Sequence, residues 1–322
     1  MMKRPFRVAL LALVLAPFAA LPAHAADARV SVTAIVDHPA LDAARQGIVE
    51  ELAAAGYVVG KNLRLDYQSA QGNTATAAQI ARKFVGDRPD VIVAMSTPSA
   101  QTVVAATREI PIVFSAVTDP VAAKLVKSWE ATGGNVTGVS DLPLLDKHLA
   151  LLRQALPAAK RIGVVYNPGE ANSVAAIAQL KKLAQPAGLS VIESAAPRTV
   201  DVASAAQSLV GKVDAIYAPT DNNVTSAFEA LAKVADQGRV PLIAADPSLA
   251  ARGAALGIGT NYHDLGRQSG KLVVRVLKGE SPGSIASQVS PTLELLVNQA
   301  AARRQGLALS DALLKSATRV ID

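Results

Sequence analysis

The chain has 322 residues, half of them hydrophobic, with 3% aromatic residues and no cysteine. The formal charge is +6 at pH 7, but Lys3, Arg4 and Arg7 supply three of those charges within a stretch that holds no acid, and the other basic residues stand singly or in pairs. This pattern argues against a nucleic-acid partner, and the absence of cysteine excludes a disulfide framework, a thiol nucleophile and a lipid-modified N-terminal cysteine.

The first 25 residues read as a secretory signal peptide. A basic start is followed by an apolar run, Val8 to Leu21, which Pro17 interrupts and which is too short to span a bilayer with ease. Ala23-His24-Ala25 then supplies a small-x-small cleavage pattern, so processing is expected after Ala25. No later stretch is long and apolar enough to span. A secreted chain with no tether stays with the cell only where something retains it, so the expected location is the periplasm.

The remainder repeats one plan. Arg29–Tyr67 and Arg161–Ala195 each read as strand, polar loop with proline, helix ending near a glycine, and strand. Residues 89–120, PDVIVAMSTPSAQTVVAATREIPIVFSAVTDP, match residues 213–249, VDAIYAPTDNNVTSAFEALAKVADQGRVPLIAADPSL. Each is an apolar strand, a threonine-containing turn, an alanine-rich helix, a second apolar strand and Asp-Pro. Runs such as Val91–Met95, Ile112–Ala116, Ile162–Val165 and Leu242–Ala245 suit strands buried on both faces of a parallel sheet. The predicted fold is α/β, with two similar doubly wound parallel-sheet lobes.

After the second repeat come an amphipathic helix over 261–278, an extended segment over 289–297, and a terminal helix with a short tail over 298–322. Chain crossings near 139–141, 257–261 and 289–291 would make a three-stranded hinge. That divides the chain into a leader, 1–25; a first lobe, 26–139 plus 262–289; and a second lobe, 140–261 plus 290–322. The alternative packs all the late elements on the second lobe. With either arrangement, ligands of open α/β sheets bind at the carboxyl ends of the strands.

Several segments carry a family resemblance: IVDHPALDAARQGIVEELAAAGYVVGKN, MSTPSAQ, FSAVTDPVAAKLV, GGNVTGVSD, RIGVVYNPGEANS, DAIYAPTDNNV and YHDLGRQSGKLVVRVLKGE. In order and over almost the whole mature chain, they resemble the extracytoplasmic substrate-binding proteins of ABC importers, in the type I periplasmic-binding-protein class. Within it the chain is similar to the branch with tryptophan- and phenylalanine-binding receptors. The resemblance implies a monomer that closes on a small amino acid between its lobes, an inner-membrane ABC permease as partner, and no cofactor.

Thr97-Pro98-Ser99 follows a strand and opens a helix. Thr97 suits the N-cap and Pro98 the first helical position. The residues alone favour plain capping; the resemblance implies that this turn takes the ligand's carboxylate, with Ser99 as an extra donor. Thr118 shares the carboxylate or meets the ammonium, and Asp119 either joins it or caps the next helix. In the second lobe Asp221 and Asn222 occupy the turn matching Thr97–Ser99, and Asp246 matches Asp119. Asp221 and Asp246 either hold the ammonium or cap helices.

The loops carrying His38 and Leu41, and Asn167, Asn172 and Ser173, should rim the cleft. The first pair would line the ligand's side chain and the other three would reach its polar end. Tyr166 ends a strand and is a candidate stacking ring, Tyr262 lies beside a predicted hinge, and Phe114 and Tyr217 belong to the core. So few rings leave a branched aliphatic amino acid open alongside an aromatic one. The four histidines, at 24, 38, 148 and 263, have no metal-ligand spacing, and no nucleophile elbow, P-loop or dinucleotide fingerprint follows a strand. A receptor is therefore expected, not an enzyme, with no metal. The alternatives are a sugar or nucleoside receptor of the same fold, a ligand sensor for a membrane signalling protein, and, more remotely, a secreted hydrolase.

Overall fold

The computed structural model describes residues 27–322; the expected leader lies outside them. The first half of the chain runs β1 (Ala28–Ala34), α1 (Pro39–Ala54), β2 (Leu63–Ser69), α2 (Thr74–Asp87), β3 (Val91–Met95), α3 (Thr97–Ala106), β4 (Ile112–Ser115) and β5 (Val136–Ser140). The second repeat runs α4 (Leu145–Ala155), β6 (Arg161–Tyr166), α5 (Ala171–Ala184), β7 (Ser190–Ala195), α6 (Val202–Gln207), β8 (Ala215–Ala218), α7 (Asn222–Ser226), α8 (Phe228–Gly238), β9 (Leu242–Ala244) and β10 (Leu256–Gly259). There follow α9 (Tyr262–Leu277), β11 (Gln288–Val289), β12 (Glu294–Asn298), α10 (Gln299–Arg304), α11 (Asp311–Ser316) and β13 (Arg319–Ile321).

Two sheets result. The first has the order β11-β5-β4-β3-β1-β2 and the second β13-β12-β10-β9-β8-β6-β7. Both are α/β sheets with helices on each face. Residues alternate between two apolar layers along each central strand: Val91, Val93 and Met95 pack in one cluster with α1 and α9, while Ile92 and Ala94 pack in another with Phe84 and Val103 of α2 and α3. The second sheet is sandwiched in the same way. All pairs in the first sheet are parallel. In the second, β12 runs antiparallel to β10, a departure from the purely parallel sheet expected. The reason is the route of the chain. It leaves β11 at the carboxyl edge of the first sheet and enters the second sheet at that same edge, so β12 runs away from the cleft.

The chain passes between the sheets at residues 141–144, 260–261 and 290–293. These segments are stitched together: Ser290 N donates to Ser140 O at 3.0 Å, and Asn261 Nδ2 to Glu294 Oε1 at 3.0 Å. The helix α9 returns to the first lobe and lies against α1. Its buried residues Leu265, Ser269, Leu272, Val273 and Val276 recur at helical spacing. The two helices meet through glycine: a Cβ on Gly266 would stand 2.0 Å from Ala44 O, and one on Gly47 2.2 Å from His263 O. The expected single terminal helix is instead α10, α11 and β13. Gly306, at φ +76°, ends α10, and Ser310 caps α11 by accepting from Leu313 N at 3.2 Å.

Candidate functional site

The carboxyl ends of the two sheets face each other across a cavity. From the first lobe it is lined by His38 and Leu41 after β1, Ser96 and Thr97 after β3, and Ala116 and Thr118 after β4. Asp141 and Tyr262 line it from the crossing segments. Asn172, Thr220, Asp221, Asn222, Thr225 and Asp246 line it from the second lobe. Thr118 Oγ1 and Thr220 Oγ1 are 3.3 Å apart across the cleft, so the lobes are in contact.

The first lobe presents hydroxyls and a helix end. The N-cap of α3 is Ser96, not Thr97, which shifts the expected turn by one residue: Thr97, Pro98 and Ser99 are the first three helical residues. Ser96 has φ +72°, and Ala116, at the neighbouring strand end, has φ +55°. Positive φ in residues with a Cβ costs on the order of 1–3 kcal/mol each and tends to gather at ligand sites. The hydroxyls of Ser96 and Thr97 are buried and have no hydrogen-bond partner among the described residues. They stand at the end of a ten-residue helix whose dipole and free N–H groups attract an anion.

The second lobe and the crossings present carboxylates. Asp246 is 5% exposed and caps a short 3₁₀ turn, accepting from Ser248 N at 2.8 Å. Burial pushes its carboxyl up to about 6, and the charge of Asp141 adds to the rise. Asp141 accepts from the Tyr262 hydroxyl at 2.7 Å and from Thr118 Oγ1 at 3.1 Å; burial raises its carboxyl as well. Asp221 also lines the cavity, yet its oxygens are occupied. Oδ1 accepts from Val224 N at 3.0 Å, and Oδ2 from Asn167 N at 2.7 Å and the Ser173 hydroxyl at 2.6 Å. No lysine or arginine lines the cavity, and among the described residues no salt bridge reaches any of the three aspartates. Paired cations would ordinarily accompany buried carboxylates, so this end of the cavity is suited to a cationic guest.

A further acid lies behind the wall. Glu170 is 5% exposed and accepts from Asn222 Nδ2 at 2.6 Å and Asn172 Nδ2 at 3.1 Å. It thereby fixes two carboxamides that line the cavity. Burial and the neighbouring charge of Asp221 push its carboxyl up to about 7. His38 caps α1 by accepting from Leu41 N at 3.3 Å, and burial lowers its ring to about 4, which keeps it neutral.

Of the residues singled out from the sequence, His38, Leu41, Thr97, Thr118, Asn172, Asp221, Asn222 and Asp246 line the cavity. Four stand elsewhere. Ser99 is wholly buried with an unpartnered hydroxyl behind the lining. Asn167 closes its own turn, accepting from Gly169 N at 2.9 Å. Ser173 holds Asp221. Tyr166 pairs with Glu193 on the β7 side and stacks on nothing in the cavity. Of the two roles open to Asp119, it takes the cap, accepting from Val121 N and Ala122 N, both at 2.9 Å. Asp141, Ser96 and Glu170 were not singled out. The one signal for Asp141 was its place directly after the apolar VTGVS strand, at the predicted first crossing.

The family model for ABC transporter substrate binding protein matches residues 29–321. A tyrosine-binding protein from Clostridioides difficile (strain R20291) is 41% identical over 270 residues, which cover 84% of this chain and 78% of that protein. Among solved structures, an ABC domain from Streptococcus pneumoniae in complex with L-Trp overlays with a TM-score of 0.88 at 33% identity, covering 92% of this chain and 100% of that one. The ligand-free, open structure of a substrate-binding protein with adhesive properties from Clostridium difficile gives a TM-score of 0.69 at 39% identity, covering 91% and 99%.

Proposed function

The chain belongs to the family of ABC transporter substrate-binding proteins, which are not enzymes, and from that premise we propose that it is a periplasmic receptor that closes on a single aromatic amino acid and delivers it to an inner-membrane permease. The observation that carries the proposal is the polarity of the cavity. Ser96 and Thr97 hydroxyls without a partner among the described residues sit at a helix N-terminus on one side, and the carboxylates of Asp246 and Asp141, which no cation pairs among those residues, sit on the other and at the crossings. An α-amino acid supplies a carboxylate to the first and an ammonium to the second, each through charge-assisted hydrogen bonds.

Two further points support the reading. The similarity to a tyrosine-binding protein and to a tryptophan-bound structure favours an aromatic guest over a branched aliphatic one. The overlay is also tighter on the tryptophan-bound structure than on the open one, although the open one is the more identical in sequence. Closure around ligand is then a hinge motion at the three crossings, driven by contacts to both lobes. The leader ending at Ala25 would place the receptor in the periplasm. Among the described residues no helix is long and apolar enough to cross a membrane, and we take the receptor to act as a monomer.

A thermal-shift screen of protein refolded to strip carried-over ligand tests the class. At 100 times its Kd a ligand adds about 2.7 kcal/mol of stability. Aromatic amino acids should raise the melting temperature while sugars and nucleosides leave it unchanged. A shift with sugars or nucleosides alone would overturn the proposal.

A further inference from the structure

Asn172 stands in the first turn of α5 and lines the cavity with 4% exposure. Its amide nitrogen donates to Thr220 O at 2.8 Å, to Glu170 Oε2 at 3.1 Å and to Ser173 Oγ at 3.4 Å. A backbone carbonyl can only accept, so the contact with Thr220 O fixes which end of the carboxamide is the NH₂. Its oxygen, Oδ1, is then an acceptor, buried and without a partner among the described residues. Such a group needs a donor, and the cavity wall provides none.

The position of Asn172 limits which part of a ligand can provide that donor. It follows β6, whereas Asp246 follows β9, and β8 lies between them in the sheet. At about 4.8 Å per strand the two strand ends are roughly 10 Å apart. An ammonium seated on Asp246 and Asp141 gives its protons to those two carboxylates, and a carboxylate has no proton to give. The group that meets Oδ1 belongs to the far end of the ligand. Resting on the amino-acid reading above, we propose that Asn172 reads the ring: Oδ1 accepts a hydrogen bond from an aromatic ring O–H or N–H, so the receptor selects tyrosine or tryptophan over phenylalanine. Glu170 acts as a positioning residue, because its hydrogen bonds to Asn172 and Asn222 hold the acceptor in place.

A site built to pair a ligand O–H or N–H rejects the analogue that lacks it, because its own polar group is left buried and unmatched. Calorimetry of the full mature chain with tyrosine, tryptophan, phenylalanine and 1-methyltryptophan tests this and separates the two donors. Tyrosine should bind roughly tenfold or more tighter than phenylalanine, or tryptophan than 1-methyltryptophan. Asn172→Ala should bring the preferred member of the pair down to its partner. Equal wild-type affinity within both pairs would overturn the inference even if the variant failed to fold, and so would a preference that survives Asn172→Ala. Those results would leave the amino-acid reading standing. Failure of all four ligands to bind would instead overturn that reading and this inference with it.

Discussion

In the first lobe the turn after β3 offers two hydroxyls and an open helix end; in the second, the matching turn after β8 offers Asp221, and the end of β9 offers Asp246. The strand plan is the same, and so is the burial. What differs is which polar group the strand end carries, and that reverses the charge the lobe will accept. A difference also exists within the second lobe. Asp221 receives three donors and serves as the hub that ties α5, α7 and the loop after β6 together. Asp246 is bonded through Ser248, which leaves its charge to a guest. Two aspartates at neighbouring strand ends thus divide into a structural group and a binding group.

The largest expected effect comes from removing the charge on the acidic side. Asp246→Asn keeps a capping side chain but loses the anion. It should weaken amino-acid binding by about 2–5 kcal/mol, read by calorimetry, while the unliganded protein melts no lower than the wild type. Acid should do the same to a lesser degree. The ammonium requires an ionised Asp246, whose carboxyl stands at about 6 before ligand binds. Below that pH, binding must expel a proton, so affinity should fall by up to about tenfold per pH unit. Asp141, Tyr262 and Arg252 face the same carboxyl, so Asp246→Asn should flatten this slope without abolishing the part due to Asp141.

On the hydroxyl side the loss should be smaller. Thr97→Val keeps the shape and removes one donor, worth about 1 kcal/mol or roughly fivefold in Kd. The last effect is one of stability. Glu170 holds its proton up to about 7 in the folded protein against an ordinary 4.5. The folded state therefore binds more protons than the unfolded one between those values, and the group's contribution is lost as pH rises through that window. Glu170→Gln removes the buried charge. Its melting temperature should match the wild type near pH 5 and exceed it at pH 8, by an amount equivalent to up to about 3 kcal/mol.

Much of the scaffold was legible because doubly buried strands leave uninterrupted apolar runs: Val91–Met95 and Leu242–Ala245 announce themselves without any partner in view. The polar residues just after such runs were legible for the same reason, which is how Thr97, Thr118 and Asp246 came to notice. What lies one residue further into a helix was not. Ser99 and Ser173 sit in the first turns of α3 and α5 and tuck behind the lining, a matter of helical phase that a shift of one residue in the cap reverses. Asp141 and Tyr262 come from two crossing segments 121 residues apart, and no local pattern links them. Ser96 was hidden because nothing in the local sequence marks its positive φ, which goes with an N–H that donates across to Ser115 O at the end of β4 at 2.9 Å. The course of β12 depended on which edge of the sheet the chain re-enters.

The central claim is that one lobe holds the ligand's carboxylate and the acidic side holds its ammonium. Its most direct test is calorimetry of wild type, Thr97→Val and Asp246→Asn with the best-binding amino acid, its carboxamide and its des-amino acid. Both analogues should bind the wild type at least tenfold more weakly. Thr97→Val should cost affinity only for ligands that keep the carboxylate, and Asp246→Asn only for those that keep the ammonium. If either analogue binds as tightly as the parent amino acid, or if both variants lose the same factor for all three ligands, the assignment of opposite charges to the two sides is wrong.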